Sequence, residues 1–164
     1  MQMSTALREN AQYVTIGIDR EIFAIDVEQV REILDLCTIA KVPNAPNFLL
    51  GMIDVRGQGV PVVDLRLKLG LPQVPPSEHT RILVLEIPLG GRILTMGMVA
   101  DRVIEVTSLS EHALEAPPEV GVRWRSDYIR AIGRANGAFV IIFDLSCLFS
   151  AESAALLPSP EDGG

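Results

Sequence analysis

The chain has 164 residues, 48% of them hydrophobic but only 5% aromatic, and a formal net charge of −7. That length holds one domain or two small subdomains around a mostly aliphatic core, and its β-branched residues favour strands. The negative charge, with no cluster of basic and aromatic residues to offset it, argues against a nucleic-acid partner.

The first residues, MQMSTALRENAQ, are polar and lack a basic region followed by an apolar core, so no signal peptide is expected. No apolar run is long enough to span a membrane, since Glu86 and Arg92 interrupt the best stretch; a cytoplasmic protein with no direct membrane insertion is expected. Strand character begins at Tyr13–Ile18, turns through Asp19–Glu21 and returns over Ile22–Ile25. Asp26, with Gln29 three residues on, fits the start of a short helical turn, and Glu32–Ile39 reads as the next strand. Prolines 43 and 46 mark a loop. Two apolar runs follow, Phe48–Val55 and Val60–Leu65, joined by Arg56-Gly57-Gln58-Gly59. They read as a hairpin with glycines where φ turns positive. Asp64 then caps a short amphipathic segment that Gly70 closes.

Residues 72–79 form a proline-rich linker between two expected subdomains, about 13–71 and 80–149, of a domain spanning 13–149. The termini, 1–12 and 150–164, are expected to be flexible. The second half repeats the theme. Arg81–Ile87 and Arg92–Val99 flank the turn Pro88–Gly91, Val103–Thr107 follows, and Ser108 with Glu111 fits the start of a helical turn. Tyr128–Arg134 and Ala138–Phe143 flank Asn136-Gly137, a strong hairpin signal, before a closing helix at Asp144–Phe149.

The halves align. Ile25–Ile33 falls on Met98–Val106, so that Val30 meets Val103, Glu32 meets Glu105 and Ile33 meets Val106. Gly57–Leu65 falls on Gly137–Leu145, with Asp64 on Asp144 and Arg56 on Asn136. Two copies of a five-strand unit predict an all-β protein with short helices, built as two packed small barrels, since closure removes exposed edges.

Little here suggests catalysis. His79 and His112 have no adjacent nucleophile pattern, no phosphate loop or dinucleotide fingerprint occurs, and the aspartates lack metal-loop spacing. Cys37 and Cys147, each in an apolar neighbourhood, read as buried thiols, with a disulfide between them as the alternative that spacing leaves open. No metal or cofactor is expected. A small β-barrel enzyme or ligand-binding domain stays as the alternative from another class. Two features suit a partner instead. Arg56 presents a guanidinium fork at a turn, and Val27, Val30 and Ile33 form an apolar strip with counterparts at Val103 and Val106.

The combination of PNAPNFLLGMIDVRG (residues 43–57), VPVVDLR (60–66), FAIDVEQVREI (23–33) and VADRV (99–103) resembles the CheW-like family of bacterial chemotaxis coupling proteins. The chain departs from the family pattern at Asp54, where Asn is usual, and at Leu34-Asp35 and Ala100-Asp101. The resemblance implies two five-stranded SH3-like barrels and a non-catalytic scaffold, recruited in the cytoplasm to receptor arrays. It would couple the cytoplasmic tips of methyl-accepting chemoreceptors to the regulatory domain of the histidine kinase CheA. It also implies that Val14, Val27, Val30, Ile33 and Val103, with Arg56 nearby, receive the receptor's helical hairpin. Thr38, Ile39, Ala40, Lys41 and Val42 are the candidate kinase surface. A CheW-like adaptor of a pilus or developmental array is the related alternative.

Overall fold

A computed structural model describes residues 10–110, 113–116 and 128–149. Ten strands run through it: β1 (Asn10–Ile18), β2 (Glu21–Asp26), β3 (Val30–Asp35), β4 (Leu49–Val55), β5 (Gln58–Asp64), β6 (Arg81–Leu89), β7 (Arg92–Ala100), β8 (Arg102–Ser110), β9 (Ile129–Ala135) and β10 (Ala138–Phe143). A 3-10 turn, Val27–Gln29, lies between β2 and β3, helix α1 (Leu65–Lys68) follows β5, and a second short helix, α2 (residues 145–149), follows β10.

The strands form two five-stranded sheets, ordered β8-β1-β2-β10-β9 and β3-β6-β7-β5-β4. Matching each strand of the first half to its repeat in the second converts one order into the other. The sheets are therefore the two copies predicted from the repeat, but they do not divide at residues 72–79 into 13–71 and 80–149. Each sheet takes two strands from one half and three from the other. The exchange occurs at two corresponding points, the 3-10 turn between β2 and β3 and the single residue Asp101 between β7 and β8. Parallel pairing makes the join: β10 runs beside β2 and β5 beside β7. The expected termini 1–12 and 150–164 lie largely outside the described residues.

Both sheets curl and close. Ala40, downstream of β3, bridges Met52 of β4, and Glu115, downstream of β8, bridges Ile132 of β9. The first closure depends on Gly51, where a Cβ would lie 2.1 Å from the Ala40 carbonyl oxygen. The apolar residues then sort by face. Tyr13, Ala24, Val140 and Ile142 fill one barrel, and Ile53, Val60, Val62, Ile82 and Val84 fill the other. The alternate residues of the same strands, among them Ile16, Ile25, Leu83, Leu85, Met98 and Phe143, build a larger core between the barrels. Strands buried on both faces explain why these runs are nearly continuous in apolar residues. Each fully buried Leu, Ile or Met side chain stabilises the fold by about 1.5–3 kcal/mol, so the core between the barrels is the main source of stability.

Three local expectations change. β3 starts at Val30 and stops at Asp35 rather than running to Ile39, because the chain leaves for the Ala40 bridge. β8 continues through Ser108 to Ser110 instead of starting a helical turn, since Asn10–Gln12 of β1 pair with Ser108–Ser110; Glu111 lies outside the described residues. Cys37 is exposed and Cys147 half-buried, where both were expected to be buried, and no disulfide forms among the described residues.

Candidate partner-docking site

Val30 and Ile33 are three residues apart, a spacing that on a regular strand puts side chains on opposite faces. Here a β-bulge at Arg31 resets the register: Val30 pairs with Leu85, Glu32 with Val84 and Ile33 with Leu83. Residues opposite each other share a face, and Leu83 and Leu85 both belong to the core between the barrels. Val30 and Ile33 therefore face the same way. β8 has the matching bulge at Ile104, which pairs Val103 with Ile16 and Val106 with Val14. Thr15 supports that bulge, its hydroxyl donating to the Glu105 carbonyl at 3.0 Å and accepting the Glu105 N–H at 3.2 Å.

Val27, Val30 and Val103 are half-buried against the core between the barrels. Beyond them that core runs out on both edge strands: Ile33 is 42% exposed and Val106 56%. The result is an apolar strip on each crossing strand that starts in the core and ends in solvent. Val14 is a correction. It is 2% exposed within the core between the barrels, on β1 directly beside Val106 of β8, and presents almost no surface of its own.

Arg56 stands at the end of the barrel that contains β3. It has φ of +54°, followed by Gly57 at +84°. Asp54 Oδ1 accepts the Gly57 N–H at 2.7 Å, so the carboxylate supplies the acceptor that an Asn would supply. Arg56 Nη2 lies 3.5 Å from Glu32 Oε1, with the arginine side chain 75% exposed. An exposed pair of that kind contributes at most about 1 kcal/mol.

The segment Thr38–Val42 is only partly available. Ile39 packs into the adjacent barrel, and both backbone polar groups of Ala40 are bonded to Met52 at 2.8 Å. Thr38, Lys41 and Val42 are exposed. Val42 lines a cavity of about 500 Å³ together with Pro43, Pro46, Met52, Pro61 and Ile93.

One polar cluster was invisible to sequence reasoning. Arg66, on α1, has a side chain only 7% exposed. Its Nη1 lies 2.7 Å from Asp19 Oδ1 and 2.6 Å from Asp101 Oδ2, and its Nε donates to the Pro72 carbonyl at 2.8 Å. Burial works to lower the guanidinium's pKa, but the bonds to Asp19 and the charge of Asp101 outweigh it and hold Arg66 above its ordinary value. Asp64 caps α1 through the Arg66 N–H at 2.9 Å. Burial raises its pKa above the usual aspartate value despite those helix N–H bonds. The motif VPVVDLR contained both residues, but nothing in it indicated that the arginine points inward.

His79 is exposed beside Glu78, and no group of three His, Cys, Asp or Glu side chains among the described residues could hold a metal. No helix among the described residues is long and apolar enough to cross a membrane.

Known proteins fit this architecture. The CheW-like domain pattern matches residues 12–153. The chain is 30% identical to the chemotaxis protein CheW of Klebsiella aerogenes, over 89% of this chain and 86% of that one. It is 27% identical to the CheW of Bacillus subtilis, over 93% and 95%. The crystal structure of the scaffolding protein TtCheW from Thermoanaerobacter tengcongensis superposes with a TM-score of 0.76 at 28% identity, covering 85% of this chain and 88% of that one. With a domain match over most of its length and the same two-barrel fold, the chain belongs to the CheW-like family of non-catalytic chemotaxis scaffolds.

Proposed function

We propose that this chain couples chemoreceptors to the histidine kinase CheA in the cytoplasm, docking the receptor's helical hairpin on the apolar strips of β3 and β8. The observation that carries the reading is the position of Ile33 and Val106. Both lie on the face that elsewhere forms the core between the barrels, yet both are exposed, at equivalent places in the repeat. An amphipathic helix presents apolar side chains three and four residues apart and suits such a strip. Val27, Val30, Ile33, Val103 and Val106 are the contacts in this reading, Val14 packs beside Val106 from the neighbouring strand, and Arg56 supplies a charged contact at the edge.

The kinase's regulatory domain is assigned to Thr38, Lys41 and Val42, which stand out from a segment pinned by the Ala40 bridge. Separate surfaces allow both partners to bind at once, and an array of many copies multiplies modest contacts by avidity. The test is capture of the purified chain by a receptor-tip hairpin and by the CheA regulatory domain, both from the same genome. Ile33→Asp is expected to lose the receptor and keep the kinase, and Val42→Asp to do the reverse. If each variant loses both partners, or neither, the assignment is wrong.

A further inference from the structure

The two points where the chain crosses between barrels are equivalent in the repeat but are held very differently. At the β7–β8 crossing, Asp101 accepts from Arg66 and also from the Asp19 backbone N–H at 2.9 Å. Its neighbour Arg102 donates from Nη1 to the Asp19 carbonyl at 3.1 Å. The Arg102 guanidinium lies over Gly17, where a Cβ would come within 2.3 Å of it. Arg66 thus ties three segments that are distant in sequence: the β1–β2 turn, the start of α1 and the crossing itself. The next residue in the chain after this clamp is Val103, the first member of the β8 strip.

At the other crossing the counterpart of Asp101 is Glu28, which is exposed, and the counterpart of Arg66 is Ser146. Ser146 makes one hydroxyl bond, to the Pro88 carbonyl at 3.1 Å. Beside it a cavity of about 450 Å³ opens between Glu28, Gln29, Pro88, Asp144 and Leu145. Among the described residues this crossing has no buried arginine; Arg130, which lines the same cavity, is exposed. Burying a guanidinium with two carboxylates is weak evidence for stability, because apolar replacements of similar volume often do as well. What the charged cluster adds is direction: a planar fork bonds only in a fixed geometry.

We propose that Arg66 is a positioning residue for the docking surface: by clamping the Asp101–Arg102 crossing to the β1–β2 turn it fixes where β8 enters its barrel, and so sets partner affinity without touching the partner. This rests on the docking reading above, and the test separates the two. Arg66→Met keeps the stem and removes the fork. Its amide exchange at residues 19 and 102–106 is expected to rise about tenfold while that of β6 and β7 stays at the wild-type rate, and capture of the receptor-tip hairpin is expected to fall about fivefold. Asp101→Asn, which keeps volume and one acceptor, is expected to move both readouts the same way by less, and serves if Arg66→Met does not fold. Unchanged exchange at residues 102–106 overturns the clamp. Faster exchange with undiminished capture overturns its role in positioning. Wild-type protein that captures no hairpin overturns the docking reading, while the exchange rates still decide the clamp.

Discussion

The β4–β5 and β9–β10 hairpins are two copies of one device, and they differ where it matters. Both turns carry a left-handed residue followed by glycine, at φ +54° and +84° for Arg56-Gly57 and +53° and +79° for Asn136-Gly137. Both reach a glutamate at the same place in the repeat: Arg56 to Glu32 at 3.5 Å, and Asn136 Nδ2 to Glu105 Oε2 at 3.2 Å. Asn suits a left-handed position, whereas Arg pays roughly 1–2 kcal/mol there. The second copy shows that the fold closes this turn without an arginine. A residue kept in an unfavourable conformation while mostly exposed points to a role outside the fold.

Changes to the strips should have the largest effects. Val30→Asp places a carboxylate against the core between the barrels, and it is expected to abolish receptor capture and to lower stability by about 1–3 kcal/mol; normal binding by a folded Val30→Asp protein would remove β3 from the site. Ile33→Asp, on the exposed end of the same strip, is expected to block capture with a thermal midpoint within a few degrees of wild type. Next comes Arg56→Glu, which reverses the charge beside Glu32. Receptor coupling is expected to weaken clearly while the unfolding temperature hardly moves; a large drop in that temperature would make Arg56 a structural residue. Arg56→Asn makes the two turns alike. Relief of the left-handed strain, on the order of 1 kcal/mol, roughly offsets the lost surface pair, so denaturant unfolding should shift by about 0.5 kcal/mol or less, and coupling should still fall.

The smallest effect concerns Asp64 against its counterpart Asp144, which accepts the Cys147 N–H at 3.2 Å. Asp64→Asn keeps a capping oxygen and is expected to stay within about 1 kcal/mol of wild type, whereas Asp64→Ala loses the cap and costs about 1 kcal/mol or somewhat more. The folded-state pKa of Asp64 is raised, so the native state binds more protons than the unfolded chain between the ordinary aspartate value and the raised one. The contribution of Asp64 to stability therefore falls as pH rises through that window. Unfolding of Asp64→Asn measured across it should show the variant gaining on wild type as pH rises; a gain as pH falls would reverse the assignment.

These comparisons also show what local sequence can convey. The hairpins were legible because Gly57 and Asn136-Gly137 punctuate apolar runs, although the second left-handed residue of the first turn is Arg56 rather than Gly59, and the repeat was legible because glycines, Asp64 and Asp144, and Glu32 and Glu105 recur in step. Sheet membership was not. Alternation tells a strand which faces it buries, but nothing in Val27–Gln29 or Asp101 announces that the chain changes barrels there. The strip was half legible: Val30 and Ile33 stood out as apolar, but their spacing of three made sense only with the bulge at Arg31. Val14 was singled out by the family resemblance alone, and local sequence does not show that it is buried beside Val106 on a strand covered on both faces. Arg66 was missed because its carboxylate partners lie far away in sequence, at Asp19 and Asp101.

The central claim is that the receptor hairpin lies on the β3 and β8 strips. The most direct measurement is a titration of the isotope-labelled chain with the receptor-tip hairpin, following backbone amide resonances. The account predicts shifts concentrated at residues 27–33, 56 and 103–106, with Thr38–Val42 unmoved. Shifts centred on Thr38–Val42, with the two strips silent, would contradict it.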